Sequence, residues 1–262
     1  RLTEEQFEFL NAKAKEQIVD NLINFTFDIA ESKKSYIQKI NILGNNITRE
    51  DVIRNNLIVD EGDAFNELLH AKTLNNLRSL NFFKSVKSEI VANDIDNKKI
   101  INIILEEKPT GEIKAGAGVS TSGGTFAFGV SENNFLGKGI EFTTDVTVNA
   151  ESLKGIISLN NPNYKGSNRS LNMSLESTVT DRLTNFGYKS NKTGFTVSSG
   201  FEFYDDLFWN TGISSYAEKL DTDSSASTSM KKQEGSYFDI FFNQTFSYDK
   251  RNQYYKPSDG YI

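Results

Sequence analysis

The sequence has no cysteine, three prolines and a single histidine, His70. Because cysteine is missing, the chain has neither a disulfide framework nor a thiolate metal site. His70 falls within ELLHAKTLNNL, an amphipathic helical pattern in which we expect a surface or half-buried position. A His-rich metal centre or a Ser-His-Asp triad would instead need this residue in a cleft. The composition therefore argues against both kinds of enzyme.

Positive charge and long apolar runs are also lacking. The net charge is -6 and the pI ≈ 5.1, which argues against nucleic-acid binding through bulk positive charge. The mean hydropathy is -0.47, and no stretch approaches the ~20 apolar residues of a membrane-spanning helix. The low hydropathy does not exclude a β-barrel, because barrel strands alternate apolar and polar residues and so keep the average hydropathy low.

Both ends of the sequence look cut. The first residues, RLTEEQFEFLNAKAKEQ, lack the basic start and apolar core of a secretory signal. The last residues, KPSDGYI, read as a turn followed by the beginning of another strand. We therefore expect the chain to be part of a longer protein.

Two sequence patterns meet at EEKPTG, residues 106–111. Before this point, helical and strand patterns alternate over short distances. After it, period-two alternation recurs between clusters of Gly, Asn, Asp and Ser, with almost no helical pattern. We therefore predict an α+β module followed by a β-rich domain.

The α+β module is predicted to run strand, helix, helix, strand, strand. YIQKINIL at 36–43 is a strand that ends at the Gly44 turn, and Thr48 is predicted to cap a short helix. A second helix is predicted over 66–80, and FKSVKSEIVA and KIINIILEE form strands joined by NDIDNK. The buried stripe of the second helix is predicted to be Leu68, Leu69, Leu74, Leu77 and Leu80. Upstream, FEFLNAKAKEQI and LINFTFDIAE look like the terminal hairpin of a preceding copy, and serial copies usually form a binding arm.

The β-rich domain is predicted to contain about eight long strands. In RSLNMSLESTVT, for example, Leu171, Met173 and Leu175 share one face while Asn172 and Ser174 share the other. Such runs are roughly 10 to 12 residues long, about what a tilted strand needs to cross a bilayer. The predicted strands are 112–119, 125–132, 139–149, 153–161, 169–180, 191–204, 207–219 and 236–249.

A soluble β-sandwich is the alternative, because its strands also alternate. Soluble strands are usually ~5 to 6 residues long, however, and their outer faces are richer in Lys and Glu. Short links such as NNFLGK also contrast with the long polar KLDTDSSASTSMKKQEGS, as in barrels with short turns at one end and longer loops at the other. These observations favour a membrane barrel.

Three stretches of the sequence carry a family resemblance. INILGNN (40–46) and LNFFKSV (80–86) look like a POTRA domain, and the stretch from EEKPTG through SENNFLGKGIEF (106–142) resembles the entry into the barrel of the POTRA-plus-barrel family of outer-membrane assembly proteins. YDKRNQYYKPSDGY (248–261) is similar to the family's turn after the eighth strand, although Ser258 stands in place of a threonine. The residues that carry this turn motif are Asp249, Arg251, Pro257 and Gly260. The resemblance is collinear and covers almost the whole chain.

The resemblance implies an α+β POTRA module (β-α-α-β-β) followed by an antiparallel transmembrane β-barrel, here truncated to about eight of about sixteen strands. It implies the terminal hairpin of a preceding POTRA domain at 1–32, a complete final POTRA domain at 33–108 and the N-terminal half of the barrel at 109–262. The implied function is the folding and insertion of β-barrel proteins into the bacterial outer membrane. Its partners would be unfolded clients, accessory lipoproteins and the lipid bilayer, but no nucleic acid, with the POTRA domains in the periplasm. A secretion pore is the alternative, because translocation-assembly proteins and two-partner secretion transporters share this organisation.

The glycine-rich stretch EIKAGAGVSTSGG at 112–124 is the candidate functional site. A phosphate-binding loop is disfavoured, because the glycine spacing departs from G-x-G-x-x-G and no helix follows. The resemblance instead makes this stretch the first barrel strand, one side of a lateral seam through which clients enter the bilayer. Gly116 and Gly118 would weaken the seam by roughly 0.5 to 1 kcal/mol each relative to alanine, or would only relieve crowding where the barrel curves.

The seam and the connection before it need neither a catalytic residue nor a cofactor. The predicted seam residues are Ile113, Lys114, Ala115, Gly116, Ala117, Gly118 and Val119. Four of them are expected to face outward, namely Ile113, Ala115, Ala117 and Val119. The predicted hinge between POTRA domain and barrel is Glu107, Lys108, Pro109, Thr110 and Gly111. We therefore predict a protein that is not an enzyme.

Overall fold

The computed structural model describes residues 10–19, 22–31, 34–93, 97–120, 123–251 and 260–261. The chain forms two compact units, Arg1–Lys108 and Pro109–Ile262. Of the helices within these described ranges, none has the length and apolar character needed to span a membrane.

The first unit begins with an antiparallel hairpin. Strand β1, Leu10–Val19, pairs with β2, Leu22–Glu31, in a register that runs from Leu10 opposite Glu31 to Val19 opposite Leu22. Phe25 and Phe27 of β2 lie on one face with their rings 6.4 Å apart, and both are exposed. Strands β1 and β2 form the hairpin predicted upstream of the complete module. Residues 7–9 of the predicted first strand lie outside the described residues.

The rest of the first unit has the predicted order strand, helix, helix, strand, strand. Its elements are β3 (Tyr36–Leu43), α1 (Glu50–Arg54), α2 (Glu67–Ser79), β4 (Phe83–Asn93) and β5 (Lys98–Glu107). The sheet order is β3-β5-β4, with β3 parallel and β4 antiparallel to the central strand β5. The parallel pairing is possible because both helices lie in the crossover from β3 to β4. Residues 94–96 of the predicted hairpin NDIDNK lie outside the described residues.

One apolar core holds this module together. Alternate residues of β5 point into it together with Ile37 and Ile40 of β3, which lie on either side of a register shift. Ile53 of α1 and Leu77 of α2 cover it with no exposed surface. The buried members are Ile37, Ile40, Ile53, Val59, Leu77, Phe82, Phe83, Val86, Ile101, Ile103 and Leu105. Because all of them lie between residues 37 and 105, we expect this module to fold without the rest of the chain.

The buried stripe of α2 differs from the predicted one. Leu68 is 46% exposed, whereas His70 and Thr73 are buried together with Leu77 at helical spacing. His70 packs against Phe65, with ring centroids 5.8 Å apart, so its expected surface or half-buried position is wrong. Burial lowers the pKa of His70, which keeps the imidazole neutral in this core.

The predicted cap of α1 is also wrong. The helix begins at Glu50, with Arg49 as its N-cap and no side-chain cap hydrogen bond, while Asn66 caps α2 by accepting from Leu68 N and Leu69 N. Thr48 is buried, and its backbone N–H donates to the Glu107 carboxylate at 2.7 Å. Because the carboxylate of a distant strand binds the loop here, the loop continues beyond Thr48 before the helix begins.

The second unit is a meander of eight antiparallel strands, as predicted. The sheet order is β13-β12-β11-β10-β9-β8-β7-β6, so that each strand pairs with its neighbours in sequence. The strands are β6 (Gly111–Ser120), β7 (Gly123–Phe135), β8 (Ile140–Asn149), β9 (Ser152–Asn161), β10 (Arg169–Arg182), β11 (Tyr188–Tyr204), β12 (Leu207–Thr222) and β13 (Gly235–Tyr248). Three short helical turns occur in the connections, where almost no helix was expected: a 3-10 turn at Tyr164–Gly166, α3 (Leu183–Phe186) and α4 (Thr228–Lys232).

The two faces of this sheet differ in chemistry. On one face, Leu175 lies between Ile157 and Phe195 of the adjacent strands, and Phe238 and Phe242 are 67% and 74% exposed. The opposite face is polar, and hydroxyl pairs such as Thr196 and Ser214 hydrogen-bond across strands at 3.0 Å. A soluble sandwich would bury the apolar face against a second sheet, but no described residue does so. Within the described residues the apolar face is thus uncovered, as is expected for the outer face of a barrel wall.

Candidate functional site

Strand β6 forms one edge of the eight-stranded sheet. It pairs with β7 from Gly111 opposite Glu132 to Ser120 opposite Gly123. Among the described residues, no strand pairs with its other edge. Strand β13, at the opposite edge of the sheet, likewise pairs with a single described strand.

The side chains of β6 are small and exposed. Every residue from 111 to 119 is exposed, with Ile113 at 76% and Val119 at 94%. Ala115 and Ala117 lie opposite Phe128 and Phe126 of β7, so the predicted outward set lies on the apolar face. The small side chains leave an open apolar hollow of about 480 Å³, bordered by Phe126, Phe128, Val146 and Val148 of the next two strands. Strand β6 is thus exposed on both faces, as is most of β13 at the opposite edge.

Gly116 and Gly118 lie on the polar face, and space does not require either of them. A Cβ atom added at either position would meet nothing within 4 Å. At Gly194, by contrast, the added Cβ would lie 2.3 Å from the Tyr216 ring, and at Gly129 it would lie 2.2 Å from the Asp145 carboxylate. Crowding by the described residues therefore explains Gly129 and Gly194 but not Gly116 and Gly118.

The connection that leads into β6 is bound to the first unit up to Lys108. The Glu107 carboxylate accepts hydrogen bonds from the backbone N–H groups of Asn46, Ile47 and Thr48 at 2.8, 2.8 and 2.7 Å. Lys108 donates its N–H to the Phe82 carbonyl at 3.0 Å and its ammonium to the Asn81 side chain at 2.5 Å. Both residues are therefore part of the α+β module.

The next residues are bound to the barrel sheet. The Thr110 hydroxyl donates to the Glu132 carboxylate, and the Thr110 carbonyl accepts from Asn133 N at 3.4 Å. Gly111 is already the first residue of β6. Only the exposed Pro109 lies between the two sets of hydrogen bonds, at the boundary between the compact units.

The Glu107 carboxylate should stabilise the α+β module in a pH-dependent way. Burial raises its pKa, but the hydrogen bonds from Thr48, Ile47 and Asn46 outweigh burial and lower the pKa below the usual 4.5. The stabilisation is then present above about pH 4.5 and lost as the pH falls through the folded-state value. Glu107→Gln in residues 34–108 is expected to lower the free energy of unfolding by about 1 kcal/mol at neutral pH.

Urea unfolding of the two variants between pH 7 and about pH 3 measures this effect. The difference between them should shrink toward the acid end, because the protonated Glu107 resembles the glutamine. Glu89→Gln, on the exposed part of β4, is the matched control and should change little. A difference that stays constant over this pH range would contradict the assigned role of the carboxylate.

The predicted turn motif after β13 is only partly described. Arg251 donates Nε–H to Asp249 Oδ1 at 2.7 Å and contacts Oδ2 through a second guanidinium nitrogen. Bonding to Arg251 holds the pKa of Asp249 at about 2. Gly260 has φ +94°, and a Cβ there would lie 2.0 Å from the Lys250 carbonyl oxygen, so only glycine fits. Pro257 and Ser258 lie outside the described residues.

No enzyme-like site is found in the described part of the chain. The described His, Asp and Glu side chains include no group of three that could hold a metal ion. The carboxylates of the predicted hinge and turn motif, Glu107 and Asp249, bind the chain's own backbone or its own arginine. Strand β6, with its small side chains and two glycines, remains the candidate site.

Two family models match the chain. The model described as "Surface antigen variable number repeat", POTRA, matches residues 35–108, and the model described as "Omp85 superfamily domain" matches residues 134–262. The α+β module is thus a POTRA domain, and the strands after it begin an Omp85 barrel.

Known proteins match along nearly the whole chain. The outer membrane protein assembly factor BamA of Nitratidesulfovibrio vulgaris is 24% identical over 98% of this chain, which covers 32% of that protein. The corresponding BamA of Neorickettsia risticii is 27% identical over 91% of the chain and is also covered to 32%. The chain therefore spans about a third of the length of these curated relatives.

Solved structures show the same fold. The crystal structure of BamA from Haemophilus ducreyi lacking POTRA domains 1–3 matches with a TM-score of 0.75 at 20% identity, over 98% of this chain and 52% of that one. CdiB from Escherichia coli matches with a TM-score of 0.53 at 12% identity, over 90% of this chain and 45% of that one. The chain is therefore similar to BamA and belongs to the Omp85 superfamily of outer-membrane proteins, with a POTRA domain preceding the strands of the barrel.

Proposed function

We propose that the chain is part of an outer-membrane insertase, which folds β-barrel proteins and inserts them into the outer membrane through a seam at β6. The observation that carries this proposal is the composition of β6, in which Ala115 and Ala117 are small and an added Cβ at Gly116 or Gly118 would meet no described atom within 4 Å. The relatives named BamA are described as outer membrane protein assembly factors, which supports the same reading.

The free edge supplies what a client strand lacks during insertion. In lipid, each unpaired backbone group costs several kcal/mol, so an incoming strand needs a partner before it leaves water. Once the seam opens, the edge of β6 offers a row of N–H and C=O groups, and client strands pair with it by β-augmentation. The mechanism needs no nucleotide, cofactor or catalytic side chain.

The seam works only if its closing partner can be displaced. Gly116 and Gly118 give β6 little intrinsic strand stability, and the small Ala115 and Ala117 bury little area against a neighbouring strand. The described surroundings leave room for larger side chains at both glycines. We therefore attribute the two glycines to a low strand stability of β6 and not to a lack of space.

The domains follow the same proposal. Residues 1–32 belong to a preceding POTRA domain, 33–108 form the final POTRA domain in the periplasm, and 109–262 form the N-terminal half of the barrel. The POTRA domains receive unfolded clients and bind accessory lipoproteins. Of the predicted hinge residues 107–111, we assign the flexibility to Pro109, because Glu107, Lys108, Thr110 and Gly111 are hydrogen-bonded within one unit or the other.

A secretion pore is the second candidate function. The fold similarity to CdiB from Escherichia coli, with a TM-score of 0.53, supports this alternative. In such a protein the POTRA arm would capture one dedicated substrate, and the barrel would serve as its conduit. The edge of β6 would then remain paired throughout transport.

Depletion of the full-length protein separates the two functions. Loss of a general insertase is expected to lower the amounts of many outer-membrane proteins together, whereas loss of a dedicated pore should affect only one exported substrate. Quantitative proteomics of isolated outer membranes, with a complemented strain as the control, measures the difference. A change confined to one secreted protein would overturn the insertase proposal.

A further inference from the structure

One row of cross-strand partners on the lipid-facing side has an unusual composition. Arg169 is paired with Phe201, Phe201 with Trp209, and Trp209 with Phe246, so the row crosses four strands from β10 to β13. All four residues lie toward the end of the sheet at which β6 begins, which we call the near end. The row is therefore one rim of the apolar band.

The four side chains of this row contact one another in sequence. The Arg169 guanidinium lies 5.3 Å from the centroid of the Phe201 ring, a cation–π distance. Phe201 meets Trp209 edge to face at 5.5 Å, and Trp209 stacks on Phe246 at 5.7 Å with an interplanar angle of 9°. The result is a continuous aromatic surface with one cation at its border.

Two neighbouring side chains fix the orientation of the indole. Trp209 Nε1–H donates to Gln244 Oε1 at 2.7 Å, and Gln244 Nε2–H donates to Thr211 Oγ1 at 2.6 Å. These bonds occupy the only polar atom of the ring, which therefore needs no lipid carbonyl or water. The aromatic surface is thus formed before any lipid arrives.

Arg169 differs from the cations at the opposite, far end of the sheet. There Arg182 binds Glu151 at 2.8 Å, Lys189 binds Asp181 at 3.0 Å and Lys219 binds Asp221 at 2.9 Å. Arg169 is exposed and has no carboxylate within ion-pair distance among the described residues. Its guanidinium remains available to an external anion.

We infer that Arg169 and the aromatic row form a binding site for the headgroup of an anionic phospholipid. A guanidinium binds phosphate oxygens in bidentate fashion, and aromatic rings at the rim of a barrel lie at headgroup depth. The phosphate lies against Arg169, and the glycerol and upper acyl chains lie on the ring surface. The lipid belongs to the leaflet at the near end. The inference rests on the placement of this sheet in a membrane, and so does the proposed function.

Quenching of Trp209 by brominated lipids tests this site. Trp209 is the only tryptophan of this chain, and subtracting the signal of a Trp209→Phe variant isolates its fluorescence in the full-length protein. The protein is reconstituted into vesicles with equal fractions of dibrominated phosphatidylglycerol or dibrominated phosphatidylcholine. We expect the relative association constant at Trp209 to favour phosphatidylglycerol about five-fold.

Three variants assign the preference to Arg169. Arg169→Gln should reduce the ratio to about one, and Arg169→Lys should restore part of it, since one cation contributes about a five-fold preference. Lys138→Gln is the matched control, because it removes an exposed cation from the near-end turn between β7 and β8 and should leave the ratio unchanged. Correct folding of each variant is checked by its heat-modifiable mobility.

The possible outcomes are distinct. A preference for phosphatidylglycerol that is unchanged in Arg169→Gln, or that falls equally in Lys138→Gln, would contradict the headgroup site. No quenching by either lipid would instead contradict the membrane placement of this sheet. A normal lipid preference in a protein that inserts no client would leave the site intact and would sink only the proposed insertase function.

Discussion

Replacing Gly116 and Gly118 together by valine in the full-length protein is expected to slow the insertion of a test barrel into liposomes about ten-fold or more. Each glycine weakens a strand by roughly 0.5 to 1 kcal/mol relative to alanine, and valine adds further strand preference. A combined gain of about 2 kcal/mol at the closed seam raises the barrier to opening by the same amount, which exceeds a factor of ten in rate.

The structure makes this substitution informative. Because an added Cβ at either glycine meets nothing within 4 Å, the valines should stiffen β6 without displacing its neighbours. Gly155→Val in β9 is the matched control, since its added Cβ also meets nothing within 4 Å but the strand is paired on both sides. We expect near-normal insertion for this control.

The measurement is the rate at which a test barrel becomes protease-resistant in liposomes that contain the purified protein. Unchanged assembly by the double variant would refute the assignment of β6 as the opening strand. Equal slowing by Gly155→Val would attribute the effect to general stiffening of the wall rather than to the seam.

Gly44→Ala is expected to destabilise the isolated POTRA domain by about 3 kcal/mol. Gly44 has φ +90°, where a left-handed conformation costs an alanine roughly 1 to 2 kcal/mol. The new Cβ would also lie 2.0 Å from the Leu105 carbonyl oxygen, a backbone atom of the central strand that cannot move without disturbing the sheet. For a domain of this size, the loss corresponds to a fall in Tm of more than about 10 °C.

Gly62→Ala separates the two contributions to this loss. Gly62 has φ +99°, but nothing lies within 4 Å of its added Cβ, so only the conformational cost applies. Thermal and urea unfolding of residues 34–108 should therefore show a loss of about 1 kcal/mol for Gly62→Ala, well below that for Gly44→Ala. Equal losses would mean that the close approach to Leu105 has no energetic weight.

The barrel strands could be predicted because their pattern is local and repeated. Strict alternation over ten or more residues has one interpretation, and each strand pairs with its neighbour in sequence. The order of elements in the POTRA domain was predictable for the same reason. The predicted fold class, with a POTRA module before an antiparallel barrel sheet, is confirmed by the structure and by the family matches.

The errors and omissions arise where distant residues decide the local structure. Thr48 has a good capping sequence, but Glu107 from the far end of the domain binds its backbone instead. The buried side of α2 includes His70 because Phe65 covers it, which helical spacing alone does not reveal. The Arg169 row depends on the register of four strands, and a shift of one residue would move it to the other face.

The candidate site was predictable as a sequence stretch but not as an environment. Glycine spacing and family resemblance identified residues 113–119, and the hinge and seam assignments remain predictions for the variants above. Gly116 and Gly118 have open space around them, whereas Gly194 and Gly129 do not. This difference depends on where the side chains of the adjacent strands lie, which the sequence alone does not show.

The meander order of the sheet also has a consequence for the folding of this protein itself. Strands β7 to β12 find both partners among their neighbours in sequence, so each pairing closes only a short loop. In the proposed barrel, the second partner of β6 would come from a distant part of the polypeptide, and that pairing would carry the entropy cost of joining remote segments. By this topology, the junction at β6 should be the last contact to form during biogenesis and the first to dissociate, whatever residues line it.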